Sequence, residues 1–449
     1  MFISKLSFLA FCNIISMKKK FFMEELSSKQ KIFVITIVIL RFIFTPISLA
    51  IFLLYALHSI VEEILHYFPK FRGYFDTRIS IRKLNIVTTG GTGGHIFPAI
   101  NFAGETSFNN RILFVSDSNA LPIIAKRNKI KKKLFKTIES HGNSMLLFTL
   151  PILPLRKRIT SLSCLGLAIV KSFFHFIFLG FLFRTVTGFG GYASFPTLFW
   201  AVIFRKQIFL HEQNAVFGKV NLIFAIFAQK IFTFLPVQSR LYNIHNVGMP
   251  LSNAISSMPR IIKRTQTDKT NILIMSGTSG GAESLKSILP AIIYLTRKHK
   301  NLHILHQADA KTTQIILATY EKHNISCEVK PFFENIYDIL PEINVCISRS
   351  GASSIVDLLA FGVPTIFIPL KNSADDHQMK NANWIVQNHL GLLHKPWESN
   401  VYNLATLINL LLSNSSVENM KQDGQIAIKR GASRKIAHEI FGETKDYYA

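Results

Sequence analysis

The sequence predicts an α/β protein of two halves, each a parallel sheet with helices on both faces, facing one another across a cleft. Three observations predict it. From Leu84 onward, short apolar runs alternate with loop residues and helical stretches. The pattern lapses in the polar stretch Gly248–Lys269, which contains Pro250 and Pro259, and restarts at Asn271. Glycine-rich turns follow several of the apolar runs, at the strand ends where open α/β sheets bind ligands.

Residues 1–83 stand apart as an apolar and basic extension. Ile32–Leu57 is almost wholly apolar, broken by Arg41 and Pro46. As a helix it would be about 39 Å long, enough to span a bilayer. Lys18, Lys19, Lys20, Lys29 and Lys31 precede it, and Lys70, Arg72, Arg78, Arg82 and Lys83 follow it. Basic flanks on both sides give no orientation. The expectation is a helix over 32–57 that enters or lies on a membrane, with a soluble helical extension as the alternative. Met1–Ser16 is apolar but lacks a small-residue cleavage site, which argues against secretion. The mean hydropathy of +0.27 is high for a soluble enzyme and low for a polytopic membrane protein. A net charge of +25 favours anionic partners: nucleic acid, lipid headgroups or phosphorylated substrates. Cys12, Cys164, Cys327 and Cys346 have neither zinc nor CxxC spacing and read as free thiols in a reducing compartment.

The first half, 84–248, has strands expected at Leu84–Thr88, Ile112–Ser116, Met145–Leu150, Thr185–Phe189 and Gln207–His211. The second half, 249–449, has them at Asn271–Met275, Leu302–His306, Cys327–Lys330, Val345–Ser348 and Thr365–Ile368. Two basic clusters lie in the first half: the run Ala125–Lys136, and Arg156-Lys157-Arg158 ahead of the apolar stretch Ile159–Phe183. They read as a solvated face beside a buried helix, or as a surface meeting anionic lipid with lysines at headgroups and aromatics in the interface. The apolar extension favours the second.

The glycine turns carry the chemistry. Gly90-Gly91-Thr92-Gly93-Gly94 follows the first strand, and a helix starts near His95. Glycines let backbone approach a ligand, and a helix N-terminus offers unpaired N–H groups, so the turn is an anion site. It is not a Walker A loop, having no GK[ST] ending, and Ile96 stands where a dinucleotide fingerprint needs its third glycine. The imidazole of His95 at the mouth of such a turn can act as a general base. A second turn, GFGGYASFP from Gly188 to Pro196, contains Gly190, Gly191 and Tyr192. The polar run His211-Glu212-Gln213-Asn214 ends another strand. In the second half, Gly277–Ala282 follows a strand and adds hydroxyls, including Ser279. The segment from Ser348 to Leu370 places Gly351 at a turn and Asp357 one to two turns into a helix, within reach of a ribose diol. Asp375-Asp376-His377-Gln378, with Asn381 and Ala382, follows the next strand.

GGTGGHIFPA, GFGGYASFP, HEQNAVFGKVN, GTSGGA and SRSGASSIVDLLAFGVP…DDHQMKNA occur in this order from Leu84 to the C-terminus. Together they resemble the MurG family of peptidoglycan glycosyltransferases; the resemblance does not extend to the first 80 residues. It implies the GT-B fold, two Rossmann-like domains across a cleft, with the last helix returning to the first domain. It implies transfer of N-acetylglucosamine, with inversion, from its UDP donor to the C4 hydroxyl of lipid I, the undecaprenyl-diphospho-N-acetylmuramyl-pentapeptide, giving lipid II. It implies no cofactor and no metal, and the sequence holds no Asp-x-Asp pair. Implied partners are UDP-N-acetylglucosamine, lipid I, anionic lipids of the bacterial inner membrane at its cytoplasmic face, and other cell-wall enzymes, with no nucleic acid.

Carried over residue by residue, the resemblance implies that His95 and Asn214 serve catalysis. Gly91, Thr92, Gly94, His95, Gly190, Gly191 and Tyr192 fall on the acceptor side. Thr92, Gly93, Asn214, Ser279, Phe333, Ala352, Ser353, Asp357, His377 and Gln378 fall on the donor side. Within that set Phe332 and Phe333 frame uracil, Ser279 reaches the UDP phosphates, Ala352 and Ser353 meet the α-phosphate, and His377 and Gln378 meet the sugar. Four departures from the family pattern stand out, the first being Gly277-Thr278-Ser279-Gly280-Gly281-Ala282 where Gly-Gly-Ser-Gln-Gly-Ala is usual. The helix acid is Asp357 where glutamate is usual. The junction reads Gly248-Met249-Pro250-Leu251-Ser252 and lacks the usual arginine. His377-Gln378 replaces a pair of glutamines. A transferase for another membrane lipid, or an inactive membrane scaffold, remain the alternatives.

Overall fold

The computed structural model describes residues 26–44 and 84–442, apart from 107–110, 119, 126–129, 133–135, 141–142, 151–157, 180–182, 242, 263–267, 277–287, 300, 335, 372, 399 and 414–416. Helix α1 (Ser28–Ile43) belongs to the extension. Its start is a capping box: Ser27 N–H donates to Gln30 Oε1 at 2.9 Å and Gln30 N–H to Ser27 Oγ at 3.4 Å. It ends at Ile43, well short of Leu57. The rest of the expected membrane helix, 45–57, lies outside the described residues. Among the described residues no helix is long and apolar enough to cross a membrane.

The first sheet has nine strands: β1 (Leu84–Thr88), β2 (Arg111–Asp117), β3 (Ile130–Lys132), β4 (Lys136–Ser140), β5 (Asn143–Leu150), β6 (Phe183–Gly188), β7 (Gln207–Glu212), β8 (Lys230–Thr233) and β9 (Ile244–Asn246). Their spatial order is β3-β4-β5-β2-β1-β6-β7-β8-β9. All pairs are parallel except β3–β4 and β4–β5, which form an antiparallel edge. The strands expected from sequence pair in parallel with one another, and the antiparallel edge adds two that were not expected. Lysines crowd 126–136, and such charge is what edge strands carry. Helix α2 (Gly93–Thr106) follows β1, α3 (Arg158–Leu179) leads into β6, and α4 (Phe195–Ile203) joins β6 to β7.

The second sheet holds β10 (Thr270–Met275), β11 (Leu302–Gln307), β12 (Ser326–Lys330), β13 (Ile343–Ser348), β14 (Thr365–Phe367) and β15 (Leu392–Leu393). Its order, β12-β11-β10-β13-β14-β15, is that of a doubly wound nucleotide-binding sheet, and all its pairs are parallel. Helix α5 (Ala352–Ala360) follows β13 and α6 (His377–Gln387) follows β14. Strand order reverses between β1 and β6 in the first sheet and between β10 and β13 in the second.

Burial on both sheet faces explains the continuous apolar runs. On β1, Ile86 joins the core under α4 while its neighbour Val87 joins the core under α2, as a two-residue period requires. Helix α1 packs Val34 and Ile37 into the same core as Trp200 of α4, and Phe44 meets the Trp200 ring edge-on at 5.9 Å. Each such fully buried side chain contributes about 1.5–3 kcal/mol.

The last helix, α7 (Ala432–Phe441), belongs in sequence to the second half but packs on α2. Ile436 is fully buried in the α2 core, Arg434 Nε lies 3.3 Å from Glu105 Oε1, and Glu439 pairs with Lys230. The chain therefore crosses between halves twice, near Gly248 and near Lys429. The crossings touch: Lys429 Nζ donates to the Asn246 carbonyl at 3.0 Å, and Gly248 has φ +96° with Lys429 where its side chain would be.

Candidate active site

The turns after β1 and β6 meet at the reversal of the first sheet. Phe189 N–H donates to the Thr88 carbonyl at 2.9 Å. Gly191 has φ +80°, and a Cβ there would stand 2.0 Å from the Gly90 carbonyl oxygen, so only glycine lets the two turns touch. A Cβ at Gly190 would stand 3.2 Å from His95 Nδ1. Gly91 also has positive φ, and Thr92 is exposed at the head of α2, its carbonyl accepting from the N–H groups of His95 and Ile96. Gly93 and Gly94 form the first turn of α2. Asp117, buried at the end of β2, ties both turns: Tyr192 Oη donates to Oδ2 at 2.7 Å, and Gly91 N–H to Oδ1 at 3.5 Å.

His95 is half-buried, with Nδ1 lying 2.7 Å from Gln213 Oε1 and 3.1 Å from the Phe189 carbonyl oxygen. Among the described residues no hydrogen bond reaches Nε2. Gln213 and His211 are fully buried beneath it. Burial pushes the His211 imidazole down to about 4, although the Gly248 carbonyl opposes the shift. Glu212 is fully buried and accepts five hydrogen bonds. Its Oε1 takes the N–H groups of Gln213 and Asn214 and the Asn214 amide, each at 3.1 Å, and its Oε2 takes Gly218 N–H at 3.0 Å and Asn221 Nδ2 at 2.9 Å. This carboxylate folds 212–221 into a compact loop.

Across the cleft, Asn381 of α6 is buried. Its Oδ1 accepts from Ala215 N–H at 2.9 Å, and its Nδ2 donates at 3.0 Å to Asn214 Oδ1 and to the Ser350 carbonyl. Asn214 is thus held between Glu212 of one half and Asn381 of the other. Ser350 Oγ donates to the Gln378 carbonyl at 2.8 Å, and Gln378 Oε1 accepts from Leu370 N–H at 2.9 Å. His377 opens α6, half-buried. Arg349 anchors the end of β13, its Nη1 donating to the Ile368 and Pro369 carbonyls; burial lowers its guanidinium to about 10.

Helix α5 starts at Ala352 with Gly351 as its N-cap and no side-chain cap. Ser353 Oγ is buried there with no hydrogen-bond partner. Farther along α5, Asp357 Oδ1 accepts from Tyr337 Oη at 3.1 Å, and Ser252 Oγ lies 3.4 Å from that same Oη. Serine at the junction therefore sits one tyrosine away from the helix acid. Phe333 is buried among Leu305, Ala352 and Val356, with Phe332 half-buried beside it. Ser279 and its turn lie outside the described residues.

The structure thus gathers His95, the glycines of both turns and Asn214 at one point, with Gln378, Ser353 and Asp357 on the facing half. Asp117, His211, Glu212, Gln213, Tyr337 and Asn381 join them, and sequence reading assigned none of these a role. The signals available were a run of four polar residues ending the strand at 207–212 and, for Asn381, its place in the polar segment after β14. Among the described residues no three His, Cys, Asp or Glu side chains gather as a metal site.

Residues 85–233 match the model of the glycosyltransferase family 28 N-terminal domain, and residues 271–440 that of its C-terminal domain. The chain is 32% identical over 371 residues to the UDP-N-acetylglucosamine--N-acetylmuramyl-(pentapeptide) pyrophosphoryl-undecaprenol N-acetylglucosamine transferase of Rickettsia bellii, covering 79% of this chain and 96% of that protein. It is 29% identical to the protein of the same name from Polaromonas naphthalenivorans, covering 74% and 90%. Its fold matches the crystal structure of Acinetobacter baumannii MurG with a TM-score of 0.62 at 19% identity, covering 80% of this chain and 99% of that one. A glycosyltransferase of kitacinnamycin shares the fold at a TM-score of 0.60 and 12% identity, covering 80% and 98%.

Proposed function

Because the chain belongs to the MurG family, within glycosyltransferase family 28, we propose that it moves N-acetylglucosamine from UDP-N-acetylglucosamine to the C4 hydroxyl of lipid I, forming lipid II. The observation that carries the reading is an imidazole where the two turns of one sheet meet, with the neighbouring Asn214 bonded across to Asn381, which also bonds the Ser350 carbonyl just ahead of the uncapped start of α5. His95 takes the proton of the C4 hydroxyl as its oxygen attacks the anomeric carbon. The bond from that carbon to the UDP oxygen breaks from the opposite face, so the configuration inverts. Negative charge grows on the departing diphosphate, where fixed N–H donors act most strongly. Those donors are the first turn of α5 with the unpartnered hydroxyl of Ser353; the phosphate contact expected of Ser279 falls outside the described residues. Asp357, already bonded to Tyr337, takes the ribose. His377, Gln378 and Asn214 surround the sugar. Gly91 to Gly94 and Gly190 to Tyr192 receive the acceptor diphosphate on backbone N–H groups.

A polyprenyl acceptor demands a surface that meets lipid. Helix α1 turns Ile32, Ile35, Ile39 and Ile43 outward along one stripe, and α3 exposes Leu167 and Val170. The exposed Lys29 and Arg205 supply positive charge for anionic headgroups. The protein then works at the cytoplasmic face of the inner membrane with this surface toward the bilayer.

The test offers UDP-N-acetylglucosamine and other UDP-sugars with a lipid I analogue. Transfer of N-acetylglucosamine to the analogue is expected. Transfer only to a diacylglycerol, or none at all, would refute the assignment.

A further inference from the structure

We infer that Gln213 and His211 are positioning residues that hold His95 with its proton on Nδ1, leaving Nε2 bare as the base. This rests on the transferase reading of His95 given above. Two groups here have roles that cannot change, the backbone carbonyls of Gly248 and Phe189, which only accept.

His211 Nε2 lies 2.9 Å from the Gly248 carbonyl oxygen, so Nε2 carries a proton. The ring is fully buried and stays neutral above its depressed pKa of about 4. Its Nδ1 is therefore an acceptor. The Gln213 atom 3.2 Å from that Nδ1 must then be the NH2 group. The same nitrogen faces the Phe189 carbonyl at 3.1 Å and the His211 carbonyl at 3.2 Å, both acceptors, which agrees. With the amide so turned, Oε1 is the end 2.7 Å from His95 Nδ1. Phe189 oxygen lies 3.1 Å from the same atom. Two acceptors converge on Nδ1, so Nδ1 bears the proton.

No carboxylate takes part. Glu212 spends both oxygens on loop N–H groups and Asn side chains, and Asp117 is tied to Tyr192 and Gly91. The neutral amide orients the ring without holding a charge against it. An imidazolium formed during turnover is thus less stabilised than beside a carboxylate, and returns its proton readily. The relay starts at Gly248, so the base is oriented from the point where the chain passes between halves.

Two measurements test this. In nitrogen-15 spectra of histidine-labelled full-length protein without substrate, the His95 signals are identified by their loss in His95→Ala. Nε2 is expected unprotonated and Nδ1 protonated; the reverse would overturn the proposal. This readout does not depend on any transferase activity, so an inactive protein would refute the function and not the tautomer. In Gln213→Glu, a carboxylate beside Nδ1–H stabilises imidazolium, and the acid limb of kcat against pH should move up by about one unit or more. KM for UDP-N-acetylglucosamine should hardly change. An unmoved pH profile in a folded variant would overturn the positioning role.

Discussion

In the proposed reaction His95 is the base, and its ring is held by Gln213 and the Phe189 carbonyl. The imidazole nearest to it, His211, is fully buried and bonded to Gly248 and Gln213. His95→Ala should lower kcat by about a hundredfold or more while the protein keeps its melting temperature; steady-state kinetics with a lipid I analogue checks it. The glycines and His95 announced themselves because clustered glycine has few uses other than sharp turns and close approach. Gln213 and His211 did not. Within a polar run, nothing in the letters says which amide end faces which ring, because that follows from Phe189 and Gly248, distant in sequence. Asp117 was equally silent, one acid at a strand end, until Tyr192 folded back onto it.

At the scale of elements, the long apolar runs placed the central strands within one or two residues, since strands buried on both faces can be little else. The pieces that escaped were β3 with β4, β8, β9 and the two-residue β15. They are short, and at the sheet edges they lack the continuous apolar signature. Helix α1 shows the opposite ambiguity. Its apolar residues go all round, so periodicity alone could not separate a packed helix from an inserted one. The structure divides them: Val34 and Ile37 face the protein, whereas Ile32, Ile35, Ile39 and Ile43 face outward. Replacing those four outward isoleucines by serine should reduce co-sedimentation with vesicles of anionic lipid and leave the melting temperature within a few degrees. Unaltered co-sedimentation would move the lipid contact elsewhere.

At the scale of the whole molecule, Asn381 fastens one half to the other. Asn381→Ala strands the Ala215 N–H, at a cost in stability of about 1–3 kcal/mol, and loosens Asn214, so kcat/KM should fall as well. Kinetics and thermal unfolding together would show it. Acid should weaken both halves. His211 in the first and His306 in the second, the latter 2.9 Å from Tyr320 Oη, are each lowered by burial from 6.5 to about 4. Between those values the unfolded chain binds more protons than the folded one, so stability is full above about 6.5 and declines as pH falls toward 4. Urea midpoints across that window should fall, and less steeply in His306→Gln.

The doubled passage of the chain near Gly248 and Lys429 bears on how substrate enters. One connection would let the lobes swivel freely; two that touch confine any relative movement to an axis at that point. Parts far from such an axle sweep the widest arc. His95 stands three hydrogen bonds from it through Gln213 and His211. Admission and discharge of bulky diphosphates can thus reshape the outer rim while the base keeps its proton where it was.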